Sequence, residues 1–286
     1  MATSIIIVNY NTKDLLNNCI KSIYATQKNS IFEIIIIDNN SKDDSKTLQK
    51  IYPQTRWIFN KENYGFGYAN NQGVAISKYE NILLLNSDTI LEIDILTELE
   101  SFMKDHPKCG GISPQILFED KSPQSTYGNY PTVQFFLLNA IHILPLLPHK
   151  LYNKLAIGLP VTFNTVQKVP HILGVAMFIR KSAFNEVNGF DENFFLYFEE
   201  TDLCCRIKEK DYDFFVLPSI YVLHLLGKSS PTNTFKTMHL LRSRIYYFKK
   251  RRTKNLWLIY ILSYIKLFIL SLKYIDFKYL KLFNKL

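Results

Sequence analysis

Cysteine is scarce and unpatterned in this chain of 286 residues: Cys19, Cys109, Cys204 and Cys205, with no CxxC pair. Such spacing excludes a disulfide framework or a zinc site and fits packed thiols in a reducing compartment. The opening residues, Met1 to Val8, hold no basic leader, and their apolar run is too short for a secretory core. Cytoplasm is therefore the expected location. Glycine-rich phosphate loops are missing too. The first apolar run ends in Asn9-Tyr10-Asn11-Thr12, and Gly65-Phe66-Gly67-Tyr68-Ala69-Asn70 lacks a final glycine, so neither is a dinucleotide fingerprint. There is no Walker sequence, internal repeat or low-complexity segment. What is abundant is apolar side chain: 47% of residues, with 14% aromatic, enough for the core of one large domain or two joined halves.

Acids are nearly absent from the end of the chain. From Arg242 to Leu286 there are twelve Lys/Arg and one acid, Asp276, out of totals of 34 and 25, so the formal charge of +9 belongs to the tail and the rest is slightly negative. A basic tail on a near-neutral body argues against nucleic acid and for a local anionic partner such as a membrane surface.

Short β-branched runs recur at Ser4–Val8, Glu33–Ile37, Arg56–Phe59 and Asn81–Leu85, with helical patterns at Leu15–Ala25 and Gly67–Ser77 between them. Uninterrupted apolar strands alternating with helices predict an α/β fold, with a mostly parallel sheet covered on both faces. Ligands of such sheets bind beyond the carboxyl ends of the strands. There lie Asn9 to Thr12, Asp38 to Ser41 and Asn86 to Thr89. After about residue 110 prolines interrupt long apolar stretches, predicting irregular, acceptor-facing structure with some helix. Order returns with a strand at Leu173–Arg180 and a helix starting near Glu200.

Several side chains invite chemistry. Asp38 ends an all-isoleucine strand and can accept hydrogen bonds from a ligand; taken alone, an Asx turn capping a loop is the simpler reading. Asp88 follows Leu83-Leu84-Leu85-Asn86-Ser87 and is suited to hold a hard cation against a diphosphate, or equally to cap a helix. Asp191, Glu192, Glu199, Glu200 and Asp202 cannot all be buried uncompensated. Glu199 and Glu200 lie between the aromatic run Phe194 to Phe198 and a helix start. Burial there raises a carboxyl pKa and the helix dipole lowers it, a setting for a general base. His224 closes an apolar strand just before Gly227-Lys228-Ser229-Ser230; a lone histidine is more often packed than a ligand.

In order along the chain, Val8 to Asn11, Asp38 to Ser41, Asn63 to Asn71, Leu85 to Asp88, Gly174 to Lys181, Gly189 to Arg206 and His224 resemble the family 2 glycosyltransferases. The rhamnosyltransferase-like branch that builds bacterial surface polysaccharides is most similar. The resemblance implies a GT-A fold and an inverting single displacement from a nucleotide sugar, dTDP-rhamnose first, to a glycan or lipid-linked glycan. It implies that Asn9, Tyr10, Asn11, Asp38, Asn40, Asn63, Gly65, Asn70, Asn86 and Ser87 surround the nucleotide sugar. Asp88 and His224 would hold Mg2+ or Mn2+, and Glu200, with Asp202 as fallback, would be the base. Two positions depart from the family pattern: Glu200 stands where aspartate is usual, and Asn86 where many relatives have a first aspartate. Residues 1–110 would form the nucleotide-sugar half, 111–241 the acceptor and catalytic half, and 242–286 a basic amphipathic helical tail. A nucleotidyltransferase would need a basic glycine-rich loop at the first strand, and a non-catalytic scaffold would not need Asp88, Glu200 and His224.

Leu256 to Ile275 is nearly all Leu, Ile, Tyr and Phe, about the length that spans a bilayer, but Lys266 sits at its centre. A central lysine costs a spanning helix about 2.5–3.5 kcal/mol, whereas an in-plane helix bears it freely. Peripheral attachment to an anionic membrane, helped by Lys249 to Arg252, is the expectation, placing the protein on the inner face of the plasma membrane. The alternative is packing on the domain or on a second copy of the chain.

Overall fold

The computed structural model describes residues 2–158, 160, 162–225 and 233–274. The first half runs β1 (Ala2–Asn9), α1 (Lys13–Thr26), β2 (Ile31–Asp38), the short α2 (Leu48–Ile51), β3 (Arg56–Phe59), α3 (Phe66–Ile76), β4 (Asn81–Asn86), β5 (Thr89–Ile90) and α4 (Leu96–Asp105). The second half opens with β6 (Cys109–Leu117), β7 (Tyr127–Gly128), α5 (Val133–Ala140), a 3-10 turn at Leu144–Leu146 and α6 (His149–Leu155). It continues with β8 (Gln167–Val169), β9 (His171–Ile172), β10 (Ala176–Arg180), α7 (Lys181–Glu186), α8 (Glu199–Lys208), β11 (Asp213–His224), α9 (Asn233–Lys250) and α10 (Leu256–Tyr274).

Ile5, Ile6 and Ile7 are all fully buried because β1 is covered on both faces. Ile5 and Ile7 join α1 and α4 in one core, while Ile6 joins α3, α7 and α8 in the other. On α1 the buried residues Leu16, Cys19, Ile20 and Ile23 follow the helical repeat that a one-sided core requires. The sheet order is β3-β2-β1-β4-β10-β6-β11-β5, with β8 also on β11. β1 pairs with β2 on one side and β4 on the other, both parallel, so the strand order reverses at β1. Asn9 lies opposite Asp38 and Val8 opposite Asn86, which brings three polar strand ends into line.

The parallel sheet expected from the sequence is what β1 to β4 form. Beyond them the sheet is mixed: β10 enters antiparallel between β4 and β6, and β11 runs parallel to β6. The irregular structure expected after residue 110 begins later than the sequence pattern implied, since β6 is a buried core strand. Its Gly110 and Gly111 are close-packing residues, not breakers: a Cβ would come within 2.8 Å of Ile207 and 2.9 Å of Phe214. A third core joins Phe194 and Phe198 to Ile245, Phe248 and Ile259 of α9 and α10. The helix α9 runs through the boundary at 241/242, so the start of the tail is continuous with the catalytic half. Gly227 to Ser230 and the tail residues after 274 lie outside the described residues.

One glycine fixes the entry to α3. Gly65 has φ 89° and ψ 178°, a conformation open essentially to glycine alone, and a Cβ there would lie 2.3 Å from the carbonyl oxygen of Phe195. Phe66 N–H donates to that same oxygen at 3.1 Å, tying the aromatic run to the helix start. Gly65→Ala should lower unfolding stability by about 3 kcal/mol in urea melts, the upper end of the cost of such strain.

Candidate active site

The polar strand ends are wired together before any ligand arrives. Asn9 Nδ2 donates to Asp38 Oδ2 at 2.7 Å and to Ser41 Oγ at 2.9 Å, and Ser41 N–H donates to Asp38 Oδ1 at 2.9 Å. Asp38 thus caps the loop that follows it, though through the N–H three residues on and not the two of an Asx turn. Thr12 Oγ1 donates to Asn9 Oδ1 at 2.6 Å and lies 2.9 Å from Ser87 Oγ, carrying the network across to the end of β4. Asn11 and Asn40 adopt positive φ, 55° and 64°, which asparagine tolerates, and shape the loops outside the strands.

Above these ends opens a cleft of about 430 Å³ lined by Tyr10, Thr12, Asn39, Asn63, Gly65, Phe66, Asn86, Ser87, Asp88 and His224 on the sheet side. Phe195, Leu196 and Tyr197 form another wall, with Phe235 and Lys236 from α9. β11 carries His224 back to β5, where it pairs with Thr89, and His224 Nε2 comes 3.2 Å from Asp88 Oδ1. Both side chains are buried, 6% and 2% exposed.

Gln124 sets the histidine. Its amide Nε2 donates to the His224 carbonyl at 2.7 Å, which turns its Oε1 toward His224 Nδ1 at 2.9 Å. An acceptor at that position assigns the proton to Nδ1, and in the neutral ring Nε2 then presents a lone pair to the Asp88 carboxylate. Two acceptors facing each other at this distance need a proton or a cation between them. One nitrogen and one carboxylate suit a divalent ion that completes its shell with phosphate oxygens and water. Among the described residues no group of three or more His, Cys, Asp and Glu stands together as a self-sufficient metal cage.

The acidic segment resolves into different roles. Tyr197 and Phe198 both have positive φ, 70° and 69°, and this double left-handed turn starts α8 at Glu199. Burial pushes the Glu199 carboxyl well above its usual range, and repulsion from Glu200 adds to it. Burial also raises Glu200, though the backbone N–H groups of the helix start oppose that. Oε2 of each has no hydrogen-bond partner among the described residues. The two carboxyls therefore titrate as a coupled pair, and their repulsion disfavours both being ionised together.

Asp202, the fallback base of the sequence reading, is fully buried, and its Oδ2 accepts from Arg206 at 2.7 Å and Lys250 at 2.8 Å. Two cations on one oxygen make Asp202 an anchor between α8 and α9, while its Oδ1 has no hydrogen-bond partner among the described residues. Lys250 also pairs with Asp191 at 2.6 Å. Burial pushes the Asp191 carboxyl up, but hydrogen bonds from Lys250, Asn193 and Tyr246 outweigh it and hold it at about 2.

Of the expected nucleotide-sugar residues, Tyr10, Asn63, Gly65, Asn86 and Ser87 line the cleft, Asn9 and Asp38 support it, and Asn11 and Asn40 lie in the adjoining loops. Asn70 does not reach it: 1% exposed, it donates to the Phe66 carbonyl one turn back in α3. Glu200 is not in the cleft lining either; a Cβ on Gly174 would lie 3.9 Å from Glu200 Cβ and 3.6 Å from the Phe66 ring, so it stands beside the cleft wall. Gln124 and Lys236 went unnoticed in the sequence, and Asn39 and Thr12 were marked only within the polar strand ends. Thr12 and Asn39 had a signal, adjacency to polar strand ends; Gln124 and Lys236 had none.

A family model described as "Glycosyl transferase family 2" matches residues 4–187. Rhamnosyltransferase WbbL of Escherichia coli (strain K12) is 27% identical over 88% of this chain and 94% of its own length. An N-acetylglucosaminyl-diphospho-decaprenol L-rhamnosyltransferase of Mycobacterium tuberculosis is 23% identical over 78% of this chain and 76% of its own. The low-salt glycan biosynthesis hexosyltransferase Agl10 of Haloferax volcanii is 27% identical over 73% of this chain, which spans 62% of Agl10. Among solved structures, GalNAc-T7 with UDP, GalNAc and Mn2+ shares the fold at a TM-score of 0.61 and 15% identity, over 89% of this chain and 51% of that one.

A carboxyl with a raised folded pKa contributes stability that is present below its unfolded value and lost as pH climbs through the folded one. For Glu199 that loss begins above 4.5. Asp191 acts in the opposite sense, contributing above 3.8 and losing its contribution as pH falls toward about 2. Glu199→Gln should therefore flatten the decline in stability as pH rises above 4.5, measured by urea melts across a pH series.

Proposed function

The chain belongs to glycosyl transferase family 2, and on that premise we propose that it transfers one sugar, with inversion, from a nucleoside-diphosphate donor to a hydroxyl of a surface glycan or its lipid-linked precursor. A dTDP-deoxyhexose such as dTDP-rhamnose is the proposed donor, supported by the two rhamnosyltransferase relatives. The decaprenol-linked acceptor in the name of one of them supports a lipid-linked acceptor here. Nucleotide sugars are charged and do not cross a bilayer unaided, so the reaction belongs on the cytoplasmic side. The observation that carries the reading is the meeting of Asp88 and His224 at 3.2 Å in a cleft at the ends of β1 and β4.

Asp88 and His224 would hold Mg2+ or Mn2+, which when bound neutralises charge building on the diphosphate leaving group. Tyr10, Asn39 and Asn63 line the space for the nucleoside, and Lys236 adds positive charge to a cleft that receives an anion. Glu200 accepts the proton of the acceptor hydroxyl as its oxygen attacks the anomeric carbon and the bond to the diphosphate breaks. Glu199, buried beside it, disfavours a second negative charge in the site. The aromatic wall Phe195 to Tyr197 excludes water that would otherwise take the sugar.

Glu200→Gln should lower transfer by about a thousandfold while donor binding by calorimetry stays near that of the unmodified protein. Near-normal transfer by this variant would move the base elsewhere. His224→Ala and Gln124→Leu should each raise the Mn2+ concentration needed for half-maximal activity, the second by about tenfold because it frees the ring without removing it. An unchanged metal titration in both would reduce the pair to packing.

A further inference from the structure

Apart from Ile31, Ile51 and Phe59 around β2 and β3, most exposed large apolar side chains among the described residues lie on α5, α6, α9 and α10 and the turn after α5. The inner face of α10 is used: Ile259, Ser263 and Leu267 are fully buried. Its outer face carries Trp257, Ile261, Ile265 and Phe268, spaced as one helical stripe and exposed, Trp257 by 60% and Phe268 by 53%. A second exposed apolar set belongs to α5 and the turn after it, where Ile141 is 52% and Leu146 79% exposed. The two sets are held as one body. Arg244 of α9 donates to Ser263 of α10 at 2.5 Å, and its guanidinium lies 4.8 Å from the ring centre of Phe136 of α5.

Charge says what covers this surface. Residues 133–158 and 233–274 contain no Asp or Glu at all. Lys150, Lys154, Arg252, Lys254 and Lys266 are exposed among the apolar residues. A second copy of the chain, meeting this face about a twofold axis, would set basic patch against basic patch. No helix among the described residues is long and apolar enough to cross a membrane. An apolar stripe with a tryptophan, rimmed by cations that can reach outward to phosphate groups, is the chemistry of a helix lying in a lipid interface.

We propose that α10 and the α5–α6 segment together form a two-part seat on an anionic bilayer, with the outer stripe of α10 and the turn around Leu146 entering the headgroup boundary. The basic run Lys249 to Arg252 contributes less than its sequence promised. Lys250 and Arg251 are turned inward onto Asp191, Asp202 and Glu209, which leaves Lys249 and Arg252 for lipid. The seat is joined to the cleft by one helix: α9 contributes Phe235 and Lys236 to the cleft and Ile245 and Phe248 to the core under α10. Eighteen residues of α9 span about 27 Å, so a lipid-linked acceptor held in the same bilayer would meet the cleft from nearby. That last step rests on the transfer reaction proposed above; the seat itself does not.

The test is co-sedimentation of the full chain with vesicles of equal parts phosphatidylglycerol and phosphatidylcholine, against phosphatidylcholine alone. Binding to the anionic vesicles that weakens with salt is expected. Leu146→Glu, and separately the pair Ile261→Glu and Phe268→Glu, should each lower partitioning by about tenfold with thermal unfolding unchanged, since all three side chains are exposed. Three results would overturn the proposal: vesicle binding untouched by both sets, loss with the α10 pair alone, or a dimer that these substitutions dissociate and that binds no vesicle. Transfer to a soluble acceptor, run in parallel, separates the two readings, because its absence counts against the reaction and leaves the vesicle result standing.

Discussion

A parallel sheet covered on both faces leaves its strands one place for polar chemistry, their ends. Ile5 to Ile7, Ile34 to Ile37 and Ile82 to Leu85 are sealed between two helical layers, where an unpaired polar side chain would cost about 1–3 kcal/mol. Polar groups therefore collect where β1, β2 and β4 stop, and the shared register of those strands stops them together. The chain Asp38, Asn9, Thr12, Ser87 is the direct result: hydrogen bonds between residues far apart in sequence that the sheet makes neighbours. The reversal of strand order at β1 opens the crevice above them.

That constraint is also why the first half was legible from sequence. A β-branched run that ends in asparagine or aspartate announces both a buried strand and its functional end, and β1 to β4 fall within a few residues of where the pattern puts them. The second half broke the pattern for identifiable reasons. β6 contains Pro114, which read as interruption, yet the strand is a core one whose Gly110 and Gly111 let Ile207 and Phe214 pack against bare backbone. Gln124 carries no local signal; only the tertiary fold brings it to His224. Asp202 read as catalytic because it stood among acids, and nothing local showed that Arg206 and Lys250 would converge on it.

The inward turn of Lys250 changes the status of the tail. α9 reaches the cleft at one end through Phe235 and Lys236, and at the other it locks α8 through Asp202. Its middle packs on Phe198, the residue that ends the double left-handed turn. Two successive non-glycine residues in that region cost about 1–2 kcal/mol each and persist only when surroundings hold them. The core of Phe194, Phe198, Tyr247 and Phe248 is what holds them here. A segment that reads in sequence as an appendage thus supports the turn that aims α8.

The turn matters because it sets the direction of the two glutamates that open α8. Glu199 and Glu200 are adjacent, identical in chemistry and at the same helix start, yet their surroundings divide them. Burial raises Glu199 well above its usual range and raises Glu200 as well, and backbone N–H groups of the first turn oppose the rise in both. Two carboxyls this close in an otherwise apolar wall resist carrying two negative charges together. A glutamate in place of the more usual aspartate also carries its carboxyl one methylene further from a helix start that stands beside Gly174, just behind the cleft lining.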